Sequence, residues 1–269
     1  MRPITDMRDA VAAGITVLFA NIEDTLIDGG RLPACASQAL QDLSRAGIAV
    51  PPITGRRTGW CDMIARMQPA GAVVGENGAV YFACYARMRR IRRAVSVPEA
   101  RRAAGRAGLA SARVRIPREV PGAAVSADQL YREAVLALDF CKDDPGLPAT
   151  KVDRIRAIFE AAGAVAKVSP SHVSGWYGAY DIPTMSRRFA AEVRGTDLKT
   201  ACDTVVFVGD SPNDAPMFDY FPRSCGVANV LPFKDRMEAD PTCVCRAEGG
   251  IGCNEFAAPL LGARKGAAA

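Results

Sequence analysis

The stretch Ile15-Thr-Val-Leu-Phe-Ala-Asn-Ile-Glu-Asp-Thr25 constrains this chain more than any other. A β-branched and apolar run, Ile15 to Ala20, gives way at once to Asn21, Glu23, Asp24 and Thr25. An uninterrupted apolar run describes a strand buried on both faces, as parallel sheets use. Its polar residues arrive at the carboxyl end, where open α/β sheets hold their ligands. Thr204-Val-Val-Phe-Val208 repeats the pattern and runs into Gly209-Asp-Ser-Pro-Asn-Asp214. Asp210 and Asp214 at such a turn suit a hard cation with oxygen ligands, most simply Mg²⁺. A polar loop with Asp214 as a helix N-cap accounts for the same residues. A further strand, Ile48 to Ile53, ends on Thr54-Gly55-Arg56. There a hydroxyl and turn N–H groups suit a phosphate oxygen, or Thr54 simply caps the strand end.

Between these strand ends the chain alternates in the same style. Pro33 to Ala46 reads as a helix with Gly47 at its C-cap, and Trp60 to Met67 as another. Ala72 to Gly75 is a short strand, and Glu76-Asn-Gly78 a tight turn into a return strand, Ala79 to Phe82. The character changes near Cys84. The Arg-rich segment to about Glu119 reads as a strand and then helix. Tyr131 to Phe140 reads as a strand, Lys151 to Ala162 as a helix, and Ala164 to Val168 and His172 to Tyr177 as two further strands. The α/β rhythm returns with a helix from Met185 to Arg194 and a helix from Pro216. Short strands follow near Cys225 to Val227 and Thr242 to Val244. From Gly262 the sequence is mostly Gly and Ala, and a disordered tail is expected over 263–269.

The chain has 269 residues and a net charge of +5. Eleven arginines and one acid, Glu99, lie between Arg87 and Arg118. That run is either a solvated helix face or a lure for an anionic ligand. Nucleic acid is the least supported partner, because no aromatic residue within the run can stack a base. No apolar run approaches the roughly 18 residues of a membrane span. The opening Met1 to Asp6 lacks a signal-peptide core, so a cytoplasmic location is expected. Nine cysteines are present with no C-x-x-C pair; Cys243-Val-Cys245 comes nearest to a metal pattern, and no His lies near it. Reduced thiols are the expectation.

Taken together, N-I-E-D-T at 21–25, I-T-G-R at 53–56, G-E-N-G at 75–78 and G-D-S-P-N-D at 209–214 resemble the haloacid dehalogenase (HAD) phosphatases. The long insert, ending in H-V-S-G-W-Y-G-A-Y-D at 172–181, resembles the type IIB cap of the Cof-like, sugar-phosphatase branch. The resemblance implies a Rossmann-like, three-layer α/β core from 1–83 and 182–262, with an α+β cap over 84–181. It also implies Mg²⁺ held by the Asn21 side chain, the Glu23 carbonyl, Asp210 and Asp214. Thr54 would hold the phosphate, with Asp24, Thr25, Gly55 and Arg56 around it, and His172, Trp176 and Tyr177 would face the leaving group. As a lone histidine, His172 reads more often as a structural residue.

Three positions depart from the family pattern. Its chemistry requires an aspartate at position 21 as nucleophile, and an amide oxygen is a very poor one. Glu23 keeps an acid/base group but extends it by a methylene. Ile182 stands where the family places a lysine, with Arg187, Lys199 or Arg56 as nearby substitutes. The sequence therefore supports a repurposed protein that binds a phosphorylated or otherwise anionic metabolite, with Asn21, Glu23 and Thr54 at the reacting centre. An active Mg²⁺-dependent sugar-phosphate phosphatase and a non-catalytic regulatory or scaffold protein are the alternatives.

Overall fold

A computed structural model of the chain describes residues 1–85, 88–141, 146–169 and 171–267. In chain order its strands are β1 (Arg2–Pro3), β2 (Val17–Asn21), β3 (Pro52–Ile53), β4 (Ala72–Gly75), β5 (Val80–Tyr85), β6 (Arg90–Val95), β7 (Ala124–Val125), β8 (Leu136–Asp139), β9 (Val165–Val168), β10 (His172–Trp176), β11 (Val205–Gly209), β12 (Ser224–Gly226) and β13 (Cys243–Val244). Its helices are α1 (Asp9–Gly14), α2 (Ala34–Arg45), α3 (Thr58–Met67), α4 (Glu99–Glu119), α5 (Ala149–Ala161), α6 (Ile182–Arg194), α7 (Ala215–Tyr220) and α8 (Gly249–Ala267). None of the described helices is long and apolar enough to cross a membrane. The chain divides into two compact units, one of Met1–Gly55, Cys61–Ala94 and Asp181 onward, the other of Arg56–Trp60 and Val95–Tyr180.

The first unit is built on a nine-stranded sheet ordered β1-β13-β12-β11-β2-β3-β4-β5-β6. β2 lies between β11 and β3 and runs parallel to both, while β5 returns antiparallel to β4. Val17 to Ala20 and Val205 to Val208 are all buried, which is why the sequence there is apolar without alternation. On one face Phe19 meets Phe189 and Phe221 at 6.1 and 5.7 Å between ring centroids, and Phe207 meets Phe218 at 5.2 Å. These rings come from α6, α7 and the residue that follows α7. Buried Leu40, Leu43, Phe256 and Leu260 belong to α2 and α8, which pack on each other, and α8 also packs on α1. The result is the three-layer α/β architecture expected from the strand pattern.

Four expectations are corrected. Residues 84–85 and 90–94, read as part of the insert, belong to β5 and β6 of the main sheet. Of Ile48 to Ile53 only Pro52 and Ile53 join the ladder, with Ala49 bridging Val17, because Pro51, between Ala49 and Pro52, has no N–H to give. The tail expected to be disordered is helical to Ala267, and residues 268–269 lie outside the described residues. Gly249, Gly250, Gly252 and Pro259 hide that helix from propensity. It is held by packing of Phe256 and Leu260 and by Arg264, which donates to the Ile15 carbonyl at 2.7 Å. Finally, Tyr131 to Phe140 is a strand only from Leu136. Before it the chain turns, because Arg132 reaches back to Asp128 at 2.8 Å and Gln129 brackets the strand start through the Val135 carbonyl and the Ala137 N–H.

The second unit has an antiparallel four-stranded sheet, β7-β8-β10-β9. α4 and α5 cover one face, with Leu109, Ile116, Ile155 and Phe159 meeting Leu136, Leu138 and Val173. The arginines of α4 lie mainly on its exposed side, several in surface ion pairs such as Arg106–Glu99 at 2.6 Å.

Glu76, Asn77 and Gly78 turn successively through left-handed backbone, at φ of 46°, 55° and 94°. A Cβ on Gly78 would stand 2.1 Å from the Asp181 carbonyl oxygen. Gly78→Ala should therefore cost roughly 3 kcal/mol, combining left-handed strain with overpacking. Gly47, at φ 81° with open space around it, supplies the control, and its alanine variant should lose only about 1 kcal/mol. Equal urea midpoints for the two variants would refute the close approach.

Candidate active site

The parallel ladder sets the site. Val205 to Val208 stand opposite Val17 to Ala20, and Ile53 stands opposite Asn21. Asn21 is the last residue of β2, and Thr54 and Asp210 directly follow β3 and β11, so the three leave the sheet together at its carboxyl edge.

Asn21 Nδ2 donates to Asp210 Oδ1 at 3.0 Å and to Asp214 Oδ2 at 3.4 Å. Its Oδ1 accepts the Ile22 N–H at 2.8 Å. Thr25 donates its hydroxyl to Asp210 Oδ1 at 2.8 Å, and Thr54 donates to Glu23 Oε2 at 3.2 Å. Asp214 Oδ2 also accepts the backbone N–H groups of Asp210 and Ser211 at 2.9 and 3.3 Å. Ser211 and Asp214 cap the following turn reciprocally, the capping role read for Asp214 from the sequence. Gly209 is required here, since a Cβ would stand 2.5 Å from Asp214 Oδ2.

Two positioning residues were not singled out from the sequence. Ser211 carries the signal of a capping box, S-x-x-D. Asn77 is buried beside Gly55, where a Cβ would be 3.0 Å from Asn77 Oδ1, and its N–H bonds the Thr54 carbonyl at 3.2 Å. The E-N-G turn signal marks it. Asp24 sits in left-handed backbone at φ 48°, which turns the chain from β2 into the following loop.

Burial, and then the neighbouring Asp214 charge, push the Asp210 carboxyl up to about 8, against the Thr25 and Asn21 hydrogen bonds. Two adjacent buried carboxylates with that much uncompensated charge fit a hard divalent cation. The Asn21 amide as placed does not complete the set, because it turns hydrogens toward the acids and its oxygen toward Ile22. Among the described residues no group of three or more Asp, Glu, His or Cys side chains converges to hold a metal. A cation here would rest on Asp210 and Asp214, as Mg²⁺ often does when water fills its remaining positions.

Ile182 packs against the aromatic core and supplies no charge. Arg187 lies over the Tyr220 ring at 5.8 Å, and Lys199 is exposed. Arg56, His172, Trp176 and Tyr177 belong to the second unit. There the Arg56 guanidinium stacks on Trp60 at 4.1 Å, and burial lowers its pKa. His172 is buried between the Ser126 hydroxyl at 3.1 Å and the Ser171 hydroxyl at 2.8 Å. Trp176 stacks on Tyr180 at 5.8 Å, and Tyr177 donates its hydroxyl to the Ala162 carbonyl at 2.6 Å.

No protein-family model matches the chain, and no curated protein does. Solved structures do. A HAD/Cof-like hydrolase from Plasmodium vivax aligns over 97% of this chain and all of its own, with TM-score 0.68 and 17% identity. A haloacid dehalogenase-like hydrolase from Bacteroides thetaiotaomicron aligns over 91% and 98% of the two chains, with TM-score 0.63 and 11% identity. The sucrose-phosphatase of Synechocystis, solved with sucrose and phosphate, aligns over 91% and 97%, with TM-score 0.62 and 13% identity. The chain has the fold of the Cof-like HAD hydrolases.

In metal-free protein Asp210 binds its proton more tightly folded than unfolded. Its contribution is therefore full below the ordinary carboxylate range and is lost as pH rises from about 4 toward 8. Chelator-treated protein should melt at progressively lower temperature across that window, and Asp210→Asn should flatten the slope. Identical pH profiles for the two would show that Asp210 is already ionised in the folded chain.

Proposed function

We propose that the chain binds a phosphorylated small molecule at the carboxyl edge of β2, β3 and β11, and that it lacks the aspartyl-phosphate chemistry its fold commonly carries. One observation supports this reading above the others. The side chain at the nucleophile's position is an amide, and its nitrogen is hydrogen-bonded to Asp210 and Asp214. A neutral amide cannot attack phosphorus to form an acyl-phosphate.

The surrounding residues still suit an anion. The Thr54 hydroxyl and the N–H groups of the Thr54-Gly55 turn can donate to phosphate oxygens, and Asp210 with Asp214 would hold Mg²⁺. The cation would supply charge neutralisation for the phosphate. Glu23, hydrogen-bonded to Thr54, keeps a group able to accept or donate a proton. A slow sugar-phosphate phosphatase is the second reading, favoured by the likeness to the sucrose-phosphatase fold.

A phosphomonoester panel separates the two. The chain should turn over at background, and Asn21→Asp should raise the rate by tenfold or more, about 1.4 kcal/mol off the barrier. Recovery should be partial, since Glu23 is longer than an aspartate and Ile182 brings no charge. Ile182→Lys added to Asn21→Asp should gain more than the separate effects combined, as expected for groups acting on one developing charge. Robust turnover with residue 21 confirmed as Asn by mass spectrometry would overturn the proposal.

A further inference from the structure

The Cys243-Val-Cys245 pair has no part in the site above, and the fold gives it a third member. β12 and β13 run parallel with Cys225 opposite Cys243, and Cys245 lies two residues farther along the same chain. The Cys245 N–H continues the ladder to the Gly226 carbonyl at 2.8 Å. Strand alternation then puts all three side chains on one face of the sheet. Cys225 Sγ and Cys245 Sγ are 3.6 Å apart, and Cys243 Sγ donates to the Ser224 carbonyl at 3.4 Å. Burial pushes the Cys253 thiol of α8 up to about 12, with Cys245 and Cys35 of α2 adding to the rise.

A soft metal ion does not account for this arrangement, because among the described residues no three such groups meet in metal-holding geometry. Packing alone does not call for thiols either, since Val or Ala fills such positions elsewhere in this sheet. What distinguishes the cluster is a gradient of access: Cys243 is 8% exposed, Cys245 2% and Cys225 not at all. The Cys225 hydrogen bond, with help from nearby Arg2, lowers the pKa of Cys243, whereas burial raises that of Cys225.

We infer that Cys225, Cys243 and Cys245 form a peroxide-responsive thiol site that closes to an internal Cys225–Cys245 disulfide. Cys243 is the entry. Its thiolate attacks a hydroperoxide, the O–O bond breaks, and the leaving oxygen departs as water or an alcohol, which leaves a sulfenic acid on Cys243. Cys225 then attacks that sulfur; the S–O bond breaks, and the hydroxyl leaves as water with the Cys225 proton. Cys245 next attacks Cys225 by thiol–disulfide exchange, releasing Cys243 as a thiol. The net change is two thiols and one hydroperoxide to one disulfide, one water and one alcohol or second water. The closing move is short, from 3.6 Å to the roughly 2 Å of a disulfide. β12 is hydrogen-bonded along β11, and the Val227 N–H bonds the Gly209 carbonyl at 3.0 Å, so the bond would form one strand away from Asp210.

The test treats reduced, full-length protein with hydrogen peroxide, alkylates the remaining thiols and maps peptides by mass spectrometry without reduction. A peptide pair joining Cys225 to Cys245, short of two hydrogens and abolished by dithiothreitol, is the expected product. Cys243→Ser should slow its appearance severalfold while leaving the final linkage the same, and Cys245→Ala should arrest the reaction at a Cys225–Cys243 linkage. Circular dichroism of each variant shows that it is folded. All nine cysteines remaining alkylatable after peroxide would overturn the inference, as would oxidation confined to exposed Cys141. Unchanged kinetics in a folded Cys243→Ser variant would remove Cys243 as the entry point.

Discussion

The parallel pairing of β2 with β11 is the constraint on which everything else rests. A parallel pair buried on both faces has to be apolar along its length, so Val17 to Ala20 and Val205 to Val208 leave no room for chemistry within the sheet. Polar residues can appear only where the ladder stops. The register makes both strands stop at the same level, and β3, opposite Asn21, stops there too. Asn21, Thr54 and Asp210 are together because three apolar segments end in step.

Once the acids are gathered, their charge has to be answered. Asp214 is met by two backbone N–H groups of its own turn, which the tight Gly209 makes possible. Asp210 is met by the Thr25 hydroxyl and the Asn21 amide, neither of which carries charge. Burial and Asp214 outweigh those two bonds, so the carboxyl retains its proton well into the neutral range. An amide in this place can do what a bound cation would do in part, presenting positive hydrogens to both acids. It cannot do what an aspartate would do, because it brings no negative charge to share a cation and no electron pair able to attack phosphorus.

The sheet was the most legible part of the chain, and for a physical reason: burial on both faces writes itself as an unbroken apolar run. The site residues of the first unit were legible for the same reason, since each follows such a run. Elements held by tertiary packing were not. α8 carries Gly249, Gly250, Gly252 and Pro259, which argue against a helix locally, while Phe256 and Leu260 decide the matter by burial. β6 is Arg-rich because it lies at the sheet's edge, and an edge strand does not need an apolar pattern. The orientation of the Asn21 amide was beyond any pattern. Its oxygen turns to the Ile22 N–H and its nitrogen to the acids, a choice made by neighbours far apart in sequence.

Two of the three departures from the pattern, Asn21 and Ile182, bear on one electrostatic argument. Position 182 opens α6, whose N-cap is Asp181, and Ile182 there packs onto the aromatic core with Phe189 and Met185 behind it. A lysine at this point would have to carry its charge out of that apolar setting toward an anion. With an aspartate at position 21, the site would hold three carboxylates of residues 21, 210 and 214 besides a phosphate, and a cation at 182 would be well repaid. With Asn21 one of those charges is gone, and the remaining pair is relieved by a proton and by neutral donors. The lysine then has less charge to balance, and an apolar residue that completes the core is the more stable choice. Under the proposed reading, Asn21 and Ile182 would be one change expressed at two positions: a site with less negative charge needs less of a cation to answer it.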